Sequence, residues 1–408
     1  MHGLLDSIRI LDWTQFQLGP VAGEILGDLG AEVIKIEHPV SGDGGRGMMR
    51  VLGILTGAKG GRNYFFETFN RNKKGITLDL NQQEGREIFY ELVKKSDVVL
   101  ENFRPGVTQR LMADYDTVRK HNPKIIYVSA SAFGENGPDS QLPGFDYLGL
   151  ARSGSMYAFT GGPREMPPIA HLGGIADQLG GTMMAFGAIT ALYARDRFGI
   201  GQKVTTSHLS CMMWLYQNSL AQMLQQGVEH VSYPREEANN PLWNHYKCGD
   251  GKWIAMAHIQ SDRQWPAVCK AMGIEHLVAD PRFKNADVRK ENSRELVKIL
   301  DQKFITRNRD DWIKIFRATD KDLIVCEVNK FTDLLSDPQV IANKYIEEID
   351  YPVLGKMMVQ RFCVEWSEIQ PSIRMPAPEF GQHTEEILMD LLGYTWEKLS
   401  ELKDKKII

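Results

Sequence analysis

The sequence is short of cysteine, and what it has is unpatterned. Cys211, Cys248, Cys269, Cys326 and Cys363 are dispersed, odd in number and without a C-x-x-C pair. A disulfide framework needs clustered, even-numbered cysteines, so reduced thiols and a cytoplasmic setting are expected. No His or Cys grouping has metal-ligand spacing, which excludes a structural metal from the expectation. Charge of one sign is also lacking. Lys and Arg total 48 against 52 Asp and Glu, a net charge of −4, so the basic excess of a general nucleic-acid binder is missing. Long apolar runs are scarce. Residues 178–194 are uncharged, but Gly180, Gly181 and Gly187 interrupt them and they fall short of the roughly 20 residues a bilayer helix needs. They read as a buried helix, and no membrane association is expected. Nor does Met1-His2-Gly3 lead a basic stretch into an apolar run, so no signal peptide is expected.

What is present is a chain of 408 residues, 43% hydrophobic, enough for two or three domains. The first 130 residues alternate strand and helix. Apolar strands are expected at 8–13, 31–37, 75–80, 97–100 and 125–130, with helices at 21–29 and 83–95. Such alternation predicts an α/β fold with a doubly wound, Rossmann-like parallel sheet. Ligands of these sheets bind beyond the carboxyl ends of the strands, here at 14–17, His38, 102–104 and 131–134. A linker is expected at 233–241, followed by a hairpin over 243–257 turning at Gly249-Asp250-Gly251. The expected organisation is a large α/β domain over 1–225 and a small α+β domain over 226–330. A C-terminal segment, 331–408, is too small for its own core and is expected to return to the large domain.

The most informative segment is Gly173-Gly174-Ile175-Ala176-Asp177-Gln178-Leu179-Gly180-Gly181. An Asp before an apolar helix is an ordinary N-cap. Here four flanking glycines suggest room for another molecule's atoms. The dipole of a following helix also favours an anion at its start, as a nucleophilic carboxylate requires.

Around this Asp the run Asp177-x-x-Gly180-Gly181-x5-Gly187-x3-Ala191-Leu192-x2-Arg195-x3-Gly199-x-Gly201-Gln202-x-Val204 resembles the signature of the family III CoA-transferases. That group includes formyl-CoA, carnitine and 2-hydroxyacyl CoA-transferases. Leu11-Asp12-x4-Gln17-x-Gly19-Pro20, Leu26-Gly27-Asp28-Leu29-Gly30-Ala31, Asn70-x-Asn72-Lys73-Lys74, Glu101-Asn102-Phe103-Arg104-Pro105-Gly106 and Gly381-x-His383-Thr384 are similar as well, in the right order. The resemblance implies a CoA-transferase with Asp177 as the nucleophile that carries the covalent intermediates, and with Gln17 as an amide donor near the thioester. It implies binding of CoA, a substrate rather than a prosthetic group, by Gln15, His38, Leu78, Asn102, Phe103, Arg104 and Arg110. Forked, permanently charged Arg suits phosphate; Lys73 and Lys74 would add positive field or form a solvated turn. Phe145 and Asp146 are expected on the substrate side. The resemblance further implies an interlocked dimer, with a homologous second subunit as an alternative.

Two features narrow the reading. Racemases that resemble this chain have a His-Asp pair where it has Phe145-Asp146. Proton removal and return at one carbon needs two acid/base groups, and Phe145 carries no proton. The second feature is an absence. Formyl-CoA transferase shields its intermediates with consecutive glycines, and 234–244 has none, so 239–243 is expected to close the site. Phe145, Tyr147, Tyr157, Trp214, Tyr216 and Trp243 would suit an acid larger than formate or oxalate, such as a hydroxy acid, a carnitine-like acid or an aryl or alkyl succinate. The alternatives are an acyl-CoA racemase or epimerase, and a non-catalytic CoA-binding subunit of a heteromeric transferase.

Overall fold

Six short runs, mostly apolar, make one parallel sheet: β1 (Arg9–Trp13), β2 (Glu32–Glu37), β3 (Lys73–Thr77), β4 (Val98–Glu101), β5 (Ile126–Ser131) and β6 (Gln202–Ser207). A computed structural model places them and describes residues 3–51, 53–160, 173–229, 233–351 and 353–408. The spatial order is β3-β2-β1-β4-β5-β6, the doubly wound order in which the sheet reverses direction between β1 and β4. Four expected strands lie within a residue of those observed. The expected strand at 75–80 instead starts at Lys73, which pairs with Val33 in the ladder. Its buried ammonium meets the Asp12 carboxylate at 2.7 Å, and Lys74 contacts Glu386 at 2.8 Å. Neither lysine is a solvated turn or a source of field at the site. β6 (Q-K-V-T-T-S) was not expected from its sequence. It is an edge strand, paired only with β5, so most of its residues stay partly wet.

Helix α1 (Leu18–Asp28) follows β1 and is buried along its whole length. It begins three residues before the expected start because Pro20 sits in its first turn, where a missing N–H costs nothing. Helix α2 (Gln83–Lys94) leads into β4, and helices α3 (Asp146–Arg152) and α5 (His208–Leu215) pack on the start of the long apolar stretch α4 (Ile175–Phe198). That stretch is only half buried: Met184 and Ala188 lie in the core, whereas Phe186 is 60% and Tyr193 62% exposed. No helix among the described residues is long and apolar enough to cross a membrane.

By packing, the described residues fall into two units. The first comprises 3–159, 173–228 and 344–408. Its last part carries the antiparallel pair β10 (Ile346–Tyr351) and β11 (Gly355–Gln360) and helix α6 (Thr384–Leu392). Ile387 and Leu388 of α6 share a core with Ile76 and Leu78. The Gly75 N–H donates to His383 Nδ1 (3.1 Å) and the Thr77 N–H to Thr384 Oγ1 (3.1 Å), so the Gly381-x-His383-Thr384 motif docks this helix on β3. The second unit, 229–343, has its own core around Tyr246, Trp265, Phe304 and Trp312. Its antiparallel sheet comprises β7 (Trp243–Lys247), β8 (Trp253–Ala257) and β9 (Val325–Val328). Residues 331–343, expected with the C-terminal segment, fall in this unit. The expected linker is no free tether either: Ser293 Oγ donates to Ala238 O (2.8 Å) and Asn240 Nδ2 to His258 O (2.9 Å).

Candidate active site

The carboxyl ends of β1 and β4, side by side at the reversal point, present Gln15 and Asn102. The Gln15 N–H donates to Asn102 Oδ1 and Asn102 Nδ2 donates to Gln15 O, both at 2.8 Å. This reciprocal pair locks the two loops together. The next residue, Phe16, has φ +63°, a left-handed conformation uncommon for a bulky residue. Asp43 holds it there by accepting the Phe16 N–H at 2.9 Å. Asp43 in turn pairs with Lys35 at 2.8 Å, both side chains fully buried. The Phe16 ring meets Phe145 edge-on, centroids 5.6 Å apart. An added Cβ on Gly44 would lie 2.5 Å from Phe16 Cζ, so only glycine fits against that ring.

Asp177 is not an N-cap. It lies in the first turn of α4, two residues beyond Ile175, and the cap position belongs to Gly174 (φ +65°). The capping side chain comes from α3: Asp146 Oδ1 accepts the N–H groups of Ala176 (2.6 Å) and Asp177 (3.0 Å). Burial raises the pKa of Asp146 above its ordinary value; the N–H of Asp177 opposes this and the Asp177 charge adds to it. The Asp177 side chain, 18% exposed, places Oδ1 2.8 Å from Nε2 of His208, which opens α5 and is buried. Oδ2 of Asp177 has no partner among the described residues.

The glycines beside Asp177 do not make room for a ligand in the expected way. A Cβ on Gly180 would meet Leu18 Cδ1 at 2.2 Å, and one on Gly181 would meet Leu18 O and Val21 Cβ at 2.5 Å. These residues let α4 press against α1. Gly174 faces the Gln17 amide, and a Cβ there would lie 2.6 Å from its Nε2 and Oε1. Gln17 is therefore packed at the start of α4, 8% exposed. Of these glycines, a Cβ on Gly173 alone would meet no atom of the described residues.

Two clefts meet at this point. One, of about 200 Å³, is lined by Asp177, His208, Asn102, Arg104, Phe16 and Phe145 among others. The other, of about 210 Å³, includes His38, Leu78 and Arg110. Gln15 and Phe103 line both. The structure thus brings together nine of the expected residues in a continuous pair of clefts. Gln17 and Asp146 sit behind the Asp177 cleft and line neither. Neither guanidinium, Arg104 or Arg110, has an ion pair or hydrogen bond among the described residues. His38 is already engaged: Nδ1 accepts the N–H groups of Val40 (3.2 Å) and Ser41 (3.3 Å), and Nε2 lies 3.5 Å from Asp79. Under the shared loop, burial pushes Glu101 up to about 7, and hydrogen bonds from Ser129 and the Phe103 N–H only partly oppose this. Of the six aromatics expected to shape the substrate pocket, Phe145 alone lines the Asp177 cleft. Tyr216 packs on Phe159 instead.

Sequence reasoning missed His208, Phe16, Asp43 and Gly149. His208 follows a strand too polar to be recognised. Its one local signal is Ser207, whose Oγ accepts the Ser210 N–H at 3.0 Å and marks a helix start. Gly149 seats the histidine, since a Cβ there would lie 2.4 Å from His208 Cβ.

The comparisons with known proteins agree with one another. Residues 5–384 match CoA-transferase family III. Similar proteins include the (R)-2-hydroxy-4-methylpentanoate CoA-transferase of Clostridioides difficile, 31% identical over 99% of both chains. Another is the cinnamoyl-CoA:phenyllactate CoA-transferase of Clostridium sporogenes, 32% identical over 99% of this chain and 97% of that one. Among solved structures, a CAIB/BAIF family protein from Brucella suis superimposes with TM-score 0.83 at 26% identity, over 96% of this chain and all of the other. A nearly full-length match, a cleft at the reversal point of the sheet and a carboxylate within it lead to one conclusion: the chain is an enzyme belonging to CoA-transferase family III, whose substrates are CoA thioesters.

Proposed function

We propose that this enzyme moves CoA from an acyl-CoA donor to a free carboxylic acid with Asp177 as the covalent relay. The observation that carries the reading is Oδ2 of Asp177, which has no partner among the described residues while Oδ1 is held by His208. Oδ2 attacks the thioester carbonyl carbon, and expulsion of the CoA thiolate leaves a mixed anhydride. The thiolate then attacks Cγ of Asp177. The Cγ–Oδ2 bond breaks, the donor acid departs with that oxygen, and an aspartyl-CoA thioester remains. An acceptor carboxylate attacks Cγ, releases the thiolate and forms a second anhydride. Thiolate attack on the acceptor's carbonyl frees Asp177 and the new acyl-CoA. Thiolate and carboxylate charges balance at every step. Gln17, packed behind the cleft against Gly174 at the start of α4, is proposed to position Asp177 rather than to touch the thioester. The nucleotide end of CoA is assigned to the cleft of Arg110, His38 and Leu78, and the acyl end to that of Asp177, with Gln15, Asn102, Phe103 and Arg104 between.

For the acceptor we propose a 2-hydroxy acid with an apolar tail. Phe16 and Phe145 offer apolar contact beside Asp177, and two relatives bear the names of such acids. Racemisation fares worse. His208 supplies a histidine beside Asp177, but two groups 2.8 Å apart in direct hydrogen-bond contact leave no space for a carbon between them.

Donor acyl-CoA alone, quenched with hydroxylamine, tests the relay. A hydroxamate on the Asp177 peptide is expected, and Asp177→Ala is expected to abolish both the adduct and exchange. An unmodified peptide during active exchange overturns the reading.

A further inference from the structure

We infer that His208 is a catalytic residue of this chain, donating through Nε2–H to the oxyanion that forms on Asp177 Oδ1 each time Cγ is attacked. This rests on Asp177 being the relay. A carboxylate only accepts, so at a 2.8 Å contact Nε2 carries the hydrogen. Oxyanion donors act from 2.7–3.1 Å, and this one is already in that range of the atom that will bear the charge.

Among the described residues, three of the first four N–H groups of α4 are committed elsewhere. The N–H groups of Ala176 and Asp177 both go to Asp146, and that of Gln178 goes to the Gly174 carbonyl at 2.8 Å. Three N–H groups that a helix start would otherwise offer to an anion are thereby taken. Meanwhile His208 Nδ1 is buried with no hydrogen-bond partner among the described residues. A histidine kept only for packing would leave that nitrogen unsatisfied for no return, since an unmatched buried polar atom is destabilising.

The effect has a sign for each step. In the resting carboxylate Oδ1 carries half a charge; in the anhydride or aspartyl thioester it is a carbonyl oxygen and a weak acceptor. Thiolate or acceptor attack at Cγ puts a full charge on it. The hydrogen bond therefore strengthens from ground state to transition state in these two steps, which is the condition for acceleration. In the first step, attack by Oδ2 on the donor, the charge on Oδ1 falls and His208 gives no help. The donor belongs to the chemistry at Cγ.

His208→Phe keeps a ring and removes the donor, and His208→Gln restores an amide N–H. With the fold intact by circular dichroism, H208F is expected to lower kcat roughly 100- to 1,000-fold with KM for acyl-CoA little changed. H208Q is expected to recover most of the loss. If the phenyl ring disturbs the fold, His208→Met removes the donor on a flexible chain. With donor alone, rapid quench and mass spectrometry should show CoA loading of Asp177 slowed in step with kcat. Enzyme-dependent formation of the donor's own hydroxamate, which needs only the first attack, should stay near the wild-type rate. A purely packing role would slow both alike, and that result overturns the inference, as does an H208F enzyme that turns over normally while wild-type Asp177 still acquires CoA. A wild-type Asp177 that never acquires CoA during exchange overturns the relay and this inference together.

Discussion

Asp146 Oδ1 accepts the backbone N–H of Asp177 at 3.0 Å across 31 residues of sequence. The candidate nucleophile is thus positioned by a second carboxylate that holds its main chain, while a histidine holds its side chain. Removing the acceptor in Asp146→Ala leaves two N–H groups of α4 without a cap. The expected cost is about 1 kcal/mol of stability, read from urea midpoints. A displacement of even 1 Å at Asp177 also lowers kcat by about 100-fold.

Asp146→Asn retains an acceptor and separates capping from charge. Burial raises the Asp146 pKa, so the folded protein binds this proton more tightly than the unfolded chain. That contribution is complete below the ordinary value of 3.8 and is lost as pH rises through the raised value. D146N should therefore gain on wild type as pH rises above 3.8. A midpoint difference that stays flat over this range contradicts the assignment.

Adjacent glycines give opposite expectations. A methyl on Gly181 would run into the Leu18 carbonyl and the Val21 Cβ, neither of which can yield without moving α1. On Gly180 the obstacle is the end of the Leu18 side chain, which can rotate. Gly181→Ala should cost about 1–3 kcal/mol and lower activity by shifting α1 and Gln17. Gly180→Ala should fall near wild type, helped by the better helix propensity of Ala. Equal losses in thermal melts would refute close packing as the reason for this pair.

The sheet was readable because its central strands are buried on both faces, and such strands announce themselves as unbroken apolar runs. Ile8–Trp13 and Ile125–Ala130 needed no tertiary information. β6 did, since a polar edge strand looks like a loop until its neighbour is known. Asp177 was visible because glycines and an apolar helix frame it in sequence. The meaning of those glycines was not, because nothing local shows that Leu18 and Val21 press on them. His208 and Asp43 act through contacts 31 and 27 residues distant. Long-range polar contacts leave no periodic trace, so these residues stayed silent.

Glu101 ties the shared loop to pH. Burial pushes it up to about 7 from 4.5, so the folded protein holds the proton between those values and the unfolded chain does not. Stability from this group is complete below about 4.5 and lost as pH rises through about 7. Glu101→Gln can still accept the Phe103 N–H, now at 2.8 Å from Oε2, without ever ionising. The variant should match wild type near pH 4 and exceed it by roughly 3 kcal/mol near pH 8 in chemical denaturation. A variant weaker than wild type at the higher pH would show that Glu101 is needed as an anion.

Arg110 separates the two clefts by chemistry. It lines the cleft shared with His38 and Leu78 and not the one that holds Asp177, and its guanidinium has no protein partner among the described residues. If the nucleotide end of CoA lies there, Arg110→Ala removes a charge-assisted contact to phosphate worth about 1.5–3 kcal/mol. KM for acyl-CoA should rise about 10- to 100-fold, with kcat nearly unchanged because the reacting atoms lie in the other cleft. An acyl-pantetheine donor keeps the thioester and lacks the nucleotide phosphates, so R110A and wild type should use it equally well. Raising the salt concentration should narrow the gap between them on acyl-CoA, because screening weakens exposed charge pairs. Equal impairment on both donors would place Arg110 in the framework of the fold and return the phosphates to the neighbourhood of Arg104.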